Sequence, residues 1–318
     1  MARILYGKPV VEEIERRVRP EVEALRARHG LTPTLLVVQV GGDPASTRYV
    51  GRKLQSCEKL GMKAIHHILA PDIGVEALRD EVAKVGARPD VHGVLVQLPL
   101  PRPIEEPDLS GGRDPIDKFD VLDAIPPEKD VDGIAGDSVP ELYRARTRRL
   151  RYLPSTALAV KRLMDHYRIE TLGKRAVVIG RNDITSKPIM LMLGGRMCDA
   201  AVTWLHRHVS PELQREALAR ADIVVSAVGR ADYRLTREML QPGVVLIDVA
   251  TRVTEENKLV GDADYEPVSQ IASAITPVPG GVGPVTVAAL MENTLRAARF
   301  AAGETALGYD FYPGPEGA

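Results

Sequence analysis

Between residues 34 and 100, three short apolar runs alternate with stretches of helical spacing, and this alternation restricts the chain more than any other feature. "TLLVVQV" (34–40) precedes a helical pattern from about 44 to 60, "KAIHHILA" (63–70) precedes another from 75 to 85, and "GVLVQLPL" (93–100) follows. Runs so short and apolar suit strands buried on both faces, and the helices supply the crossovers that parallel strands need. A second series has strands at 175–180, 200–205, 222–228 and 244–250. Its helices fall at 156–167, from about 187, and at 211–220. The fold class is therefore α/β, in two domains, the second with the pattern of a Rossmann-like dinucleotide fold. Residues 1–150 form the first domain, 151–283 the second, and 304–318 a Pro- and Gly-rich tail. Between them, "GPVTVAALMENTLRAARFAAG" (283–303) places Val285, Ala288, Ala289, Met291 and Leu295 near one face. It predicts a long helix over 284–303, capped by Gly303, that returns to complete the first domain. The proline-rich stretch from Pro99 to Asp132 reads as an exposed, irregular crossing.

A chain of 318 residues exceeds the usual size of one core, which agrees with two domains. The 42 basic and 43 acidic residues nearly cancel, so the footprint of a general nucleic-acid binder is missing and a small-molecule partner fits better. Cys57 and Cys198 form no paired motif, so no metal site is expected of them. Acidic residues in the first helical pattern, and no run of about 20 apolar residues, point to a soluble cytoplasmic protein with no membrane association.

Chemistry-bearing residues gather where the elements end. Tyr49 and Lys53, at i and i+4, share a helix face. A tyrosine can stack on a planar ring, and a desolvated lysine transfers protons near neutral pH; a solvated surface pair is the competing reading. Gln97 is the one amide of its strand, placed where that strand runs out into prolines. "EKDVDGI" (128–134) offers two aspartates before Gly133: one can cap local backbone, and the other can accept from an aminopyrimidinone ring. "VVIGRNDITSKP" resembles a phosphate-binding βα turn without the G-x-G-x-x-G spacing, so a plain βα turn competes. In "WLHRHV", His206 and Arg207 stand where an NAD site carries an acid, which favours a 2′-phosphate and hence NADP over NAD. "ITPVPGGVGPVT" (275–286) reads as a stiff bare-backbone wall or as a hinge.

"DPASTRYVGRK", "GVLVQLPLP", "KDVDG", "VVIGR", "KLVGDADYE" and "AITPVPGGVGPVTVAALMENT" together resemble the methylenetetrahydrofolate dehydrogenase/cyclohydrolase family, in the right order from about residue 6 to 298. The resemblance implies two α/β domains flanking a cleft, the first binding folate and the second NAD(P). It implies NADP-dependent oxidation of 5,10-methylenetetrahydrofolate, hydrolysis of the methenyl product to 10-formyltetrahydrofolate, a place in one-carbon metabolism and purine biosynthesis, and a homodimer. By resemblance Lys53 is catalytic, Tyr49 stacks on the folate, Gln97 tunes the lysine, and Asp132 anchors the pterin. Pro279, Gly280 and Gly281 line the folate. Gly180, Arg181, Asn182, His206, Arg207, Val228 and Gly283 serve the cofactor, with NAD as the alternative nucleotide. The departures are "PSTALA" (154–159), with Ser155 for the family's cysteine; Asn182 and Ser186 in the cofactor loop; Arg207; and "ATR" (250–252). They are expected to cluster on the cofactor side. Residues 102–120 exceed the family's usual link. The competing functions are a short-chain dehydrogenase, which also uses Tyr-x-x-x-Lys but places it after the glycine loop, and a folate- or nucleotide-binding homologue that retains cyclohydrolase activity alone or neither activity.

Overall fold

The computed structural model describes residues 2–105, 117–144, 150–304 and 309. The chain opens with β1 (Arg3–Ile4) and α1 (Gly7–His29), then alternates through β2 (Thr34–Val40), α2 (Pro44–Lys59), β3 (Lys63–Leu69), α3 (Val75–Gly86) and β4 (Gly93–Val96). Short helices α4 (Arg102–Glu105), α5 (Lys118–Asp123) and α6 (Val139–Tyr143) lead to α7 (Ser155–His166). The second series is β5 (Arg175–Ile179), α8 (Ser186–Gly194), β6 (Ala201–Leu205), α9 (Pro211–Leu218), β7 (Ile223–Ser226) and β8 (Val245–Asp248). It closes with the pair β9 (Arg252–Val253) and β10 (Leu259–Val260), then α10 (Tyr265–Ile271), β11 (Ala274–Ile275) and α11 (Val282–Ala301).

Two parallel sheets result. The first has the order β3-β2-β4, and the second β1-β11-β8-β7-β5-β6. In the first, the chain leaves β2 for β3 on one side and then crosses to β4 on the other. In the second, it leaves β5 for β6 and then crosses back to β7. Each sheet therefore has a switch point, between β2 and β4 and between β5 and β7, where the outgoing loops part and leave a crevice beyond the carboxyl ends.

β2 is buried at six of its seven positions, as its unbroken apolar run requires. α2 starts cleanly: the Asp43 carboxylate accepts from the Ser46 N–H at 2.7 Å, and Pro44 sits where a missing N–H is harmless. α11 buries Val285, Ala288, Ala289, Met291 and Leu295 against α1 and α7, and Gly303, at φ 78°, follows its last turn. Asn293 on α11 is fully buried and donates to the Val131 carbonyl at 2.8 Å and the Leu153 carbonyl at 3.0 Å. These two bonds to buried carbonyls tie α11 to the loop carrying Asp132. Both cysteines are buried, and burial pushes the Cys57 thiol up to about 12 and Cys198 to about 11.

Three features differ from the sequence reading. β1 lies in the second sheet, beside β11, so the chain begins there before α1 crosses to the first. The crossing after Pro99 is not wholly irregular: Ile104, Val121, Leu122 and Ile125 join the core against β4 and α3. α5 begins with a capping box between Asp117 and Asp120. Residues 106–116 of the long link, and all of the tail from 305 except Tyr309, lie outside the described residues.

Candidate active site

α2 follows β2 and Gln97 follows β4, so the first sheet's switch point brings helix and amide face to face. Lys53 Nζ donates to Gln97 Oε1 at 2.9 Å, and Gln97 Nε2 donates to the Leu98 carbonyl at 2.5 Å, which fixes the amide with its oxygen toward the lysine. Lys53 is half-buried along its length. Protein crowded about its nitrogen disfavours the charged form and lowers its pKa from the ordinary lysine value, while the nearby charge of Asp132 opposes the shift.

The two aspartates of the 128–134 turn divide as chemistry requires. Asp130 is fully buried and accepts from the Gly133 and Ala135 N–H groups at 3.1 and 2.9 Å and from the Ser138 hydroxyl at 2.6 Å. It is the capping acid. Asp132 is half-exposed and near enough to Lys53 for its charge to act on the amine. The Ser155 N–H, at the start of α7, donates to the Asp132 carbonyl at 3.3 Å, and the Ser155 hydroxyl lies 3.4 Å from the Val131 carbonyl. The departure at 154–159 therefore abuts the Asp132 turn.

Tyr49 lies 39% exposed on the wall of a cavity of about 330 Å³. Arg52 and Ser56 continue its helix face, and the backbone from Pro277 to Pro284 forms the opposite wall. The bare backbone is needed here. A Cβ on Gly281 would approach the Pro277 carbonyl to 2.6 Å, and one on Gly7, whose N–H donates to the Gly280 carbonyl at 2.7 Å, would reach the Gly281 carbonyl at 2.2 Å. Pro279, Gly280 and Gly281 thus share a cavity with Tyr49. So does Gly283, which lines this cavity instead of the crevice of the second sheet. Asp248, Val249 and Thr251 close the floor, which puts the departure at 250–252 here too. Asp248 accepts from the Ala250 and Ala263 N–H groups at 3.2 and 2.8 Å, and burial, more than these bonds, carries its pKa up to about 7.

The second sheet's switch point holds another cavity, of about 500 Å³, bringing together Gly180, Arg181, Asn182, His206, Arg207 and Val228. Gly180 has φ 120°, and a Cβ there would sit 2.6 Å from both the Ala227 carbonyl and Ser186 Oγ. Asn182 Oδ1 accepts from the Ile184 and Thr185 N–H groups at 2.9 and 3.2 Å, setting the loop before α8. Ser186 Oγ, at the first residue of α8, is buried without a hydrogen-bond partner among the described residues. Arg181, Arg207 and Arg230 line the cavity with one acid, Asp232, which pairs with Arg230. A glycine approach, an unpaired buried hydroxyl at a helix start and an excess of cations fit a phosphate-bearing dinucleotide.

Sequence reasoning missed several supports. Trp204 Nε1 donates to the Gly180 carbonyl at 2.5 Å. Asp262, fully buried, accepts from the Ser226 hydroxyl and the Val228 and Gly229 N–H groups at 2.6, 2.8 and 3.0 Å, holding the loop after β7. Its motif, "KLVGDADYE", was visible in the sequence, but no local signal gives the partner 36 residues away. Arg52 and Ser56 were hidden by ordinary surface composition.

The family model described as the catalytic domain of tetrahydrofolate dehydrogenase/cyclohydrolase matches residues 5–132, and the model of its NAD(P)-binding domain matches residues 154–302. The bifunctional protein FolD of Methanoculleus marisnigri is 41% identical over 93% of this chain and 96% of its own length. The bifunctional enzyme FolD of Campylobacter jejuni has a crystal structure that superposes with a TM-score of 0.84 at 34% identity, over 94% of this chain and 99% of that one. The Trypanosoma brucei methylenetetrahydrofolate dehydrogenase-cyclohydrolase, solved with NADP and an inhibitor, gives the same TM-score and identity over 94% and 98%. The two domains, their switch-point crevices and these matches along nearly the whole chain agree: the protein belongs to the tetrahydrofolate dehydrogenase/cyclohydrolase family.

Proposed function

We propose that the chain oxidises 5,10-methylenetetrahydrofolate with NADP and hydrolyses the methenyl product to 10-formyltetrahydrofolate. The observation that carries this reading is Lys53, held by Gln97 Oε1 at 2.9 Å with its pKa lowered by burial. Loss of a hydride leaves the folate a cationic amidinium. A charged ammonium about 4 Å away would oppose it by roughly 4 kcal/mol at an effective dielectric of 20, so a lysine that burial biases toward its neutral form is the compatible neighbour. In the hydrolysis water adds to that cation, and the neutral amine takes up the proton that the water gives up.

Tyr49 presents its ring to the folate across from the Pro279–Gly281 backbone, and Asp132 accepts from the pterin's adjacent donors. NADP, held by the Gly180–Asn182 turn, the α8 start and the His206–Arg207 corner, supplies the hydride acceptor. Arg181 and Arg207 favour the 2′-phosphate, which supports NADP over NAD. The Tyr49–Lys53 pair stands on the first sheet's helix rather than beside the nucleotide strands, which argues against a short-chain dehydrogenase.

Family membership further supports a homodimer acting in one-carbon metabolism, in the cytoplasm and on the route to purines; among the described residues no helix is long and apolar enough to cross a membrane. The test is spectrophotometric: methylenetetrahydrofolate with each nucleotide should give a methenyl band that then decays. Folate binding without any nucleotide-dependent band would leave a binding homologue, or one that only hydrolyses the methenyl compound.

A further inference from the structure

We propose that Arg52 forms a subsite for the anionic tail of the substrate, receiving a carboxylate of the glutamyl chain that folates carry; the inference rests on the function proposed above. Successive helix residues turn by about 100°, so Arg52 and Lys53 cannot serve the same point. Lys53 reaches Gln97, whereas Arg52 opens onto the cavity that Tyr49 shares with the Pro277–Pro284 backbone. Its guanidinium lies over the Tyr49 ring, 5.8 Å from the centroid. Ser56, one turn further along the same face, adds a hydroxyl to the same wall.

The charge balance of this cavity leaves Arg52 the means to take an anion. Its lining carboxylate is Asp248, which is 3% exposed and tied to the Ala250 and Ala263 N–H groups. Among the described residues Arg52 has no carboxylate partner, and its guanidinium rests over Tyr49. A flat ligand with its heterocycle at Lys53, Gln97 and Asp132 and its aryl group on Tyr49 continues toward Arg52, which is exposed and so meets the ligand where it leaves the protein. A guanidinium matches a carboxylate with two parallel N–H donors, and stacking on a ring preorganises it.

The experiment measures hydrolysis of 5,10-methenyltetrahydrofolate carrying one and three glutamates, and of the tail-free 5,10-methenyltetrahydropteroyl amide, which has neither glutamate nor free carboxylate, by the wild type, Arg52→Ala and Arg52→Lys. In Arg52→Ala the ratio of kcat/KM for glutamylated over tail-free substrate should fall roughly three- to tenfold, the range for a partly solvated charged pair, through KM. Arg52→Lys should lie between. The triglutamate KM of the wild type should rise with salt more steeply than that of Arg52→Ala. A parallel loss on all three substrates would mean that Arg52 only props Tyr49, and an unchanged ratio would mean that no tail contact exists; either result overturns the subsite alone. A wild type that hydrolyses none of the three would instead overturn the proposed function.

Discussion

Replacing Lys53 by Met removes the amine while keeping a side chain of similar length, so it separates chemistry from folding. The structure sets what is lost: one hydrogen bond to Gln97 at 2.9 Å and a nitrogen whose pKa is already lowered. A positioned acid–base group contributes about 10²–10⁴ in rate, so methenyl hydrolysis should slow by that factor, or about 2.7–5.5 kcal/mol in barrier. Stability should not fall in step. Because the folded pKa lies below the unfolded value of 10.5, the native state binds fewer protons than the unfolded chain between the two, and stability rises with pH across that window. At neutral pH Lys53 therefore burdens the fold when charged, and Met relieves that burden while losing a hydrogen bond worth about 1 kcal/mol. The expected result is a thermal midpoint close to that of the wild type, and a methenyl band that forms or is supplied but does not decay. Hydrolysis at the wild-type rate in a folded Lys53→Met protein would refute the role of the amine.

Other perturbations address the remaining parts. Asn293→Ala strips partners from the Val131 and Leu153 carbonyls in the core and should cost on the order of 3–5 kcal/mol, read from the shift of the urea midpoint at constant slope. Gly180→Ala forces a Cβ to 2.6 Å from the Ala227 carbonyl at φ 120°; dehydrogenase KM for NADP should rise at least about tenfold while hydrolysis of added methenyl substrate persists. Arg207→Ser removes one cation from the nucleotide cavity and should lower the NADP-to-NAD ratio of kcat/KM about tenfold, measured at matched saturation; an unchanged ratio would move the 2′-phosphate to Arg181 or Arg230.

The strands β2 to β8, the helices between them and the final helix were legible because each is long enough for periodicity to show. β1, β9, β10 and β11 are two residues each, too short for any period, and exist because a neighbouring strand offers its ladder. The helical part of the link after Pro99 was hidden by its prolines, which spoke louder than Val121 and Leu122.

For the site, the sequence by itself supplied Tyr49, Lys53, Gln97, Asp132 and the glycine wall through the resemblance, since chemistry of this kind demands particular residue types at fixed spacings. Without the resemblance the turn alone does not separate Asp130 from Asp132, because only packing buries the first among its own backbone donors while leaving the second half-exposed. Nor could the sequence place Arg52, Asp248 or Asp262, or show that the 154–159 departure touches the Asp132 turn. Those roles depend on burial and on contacts between segments distant in sequence, which exist only once the two sheets and α11 have closed around the cavities.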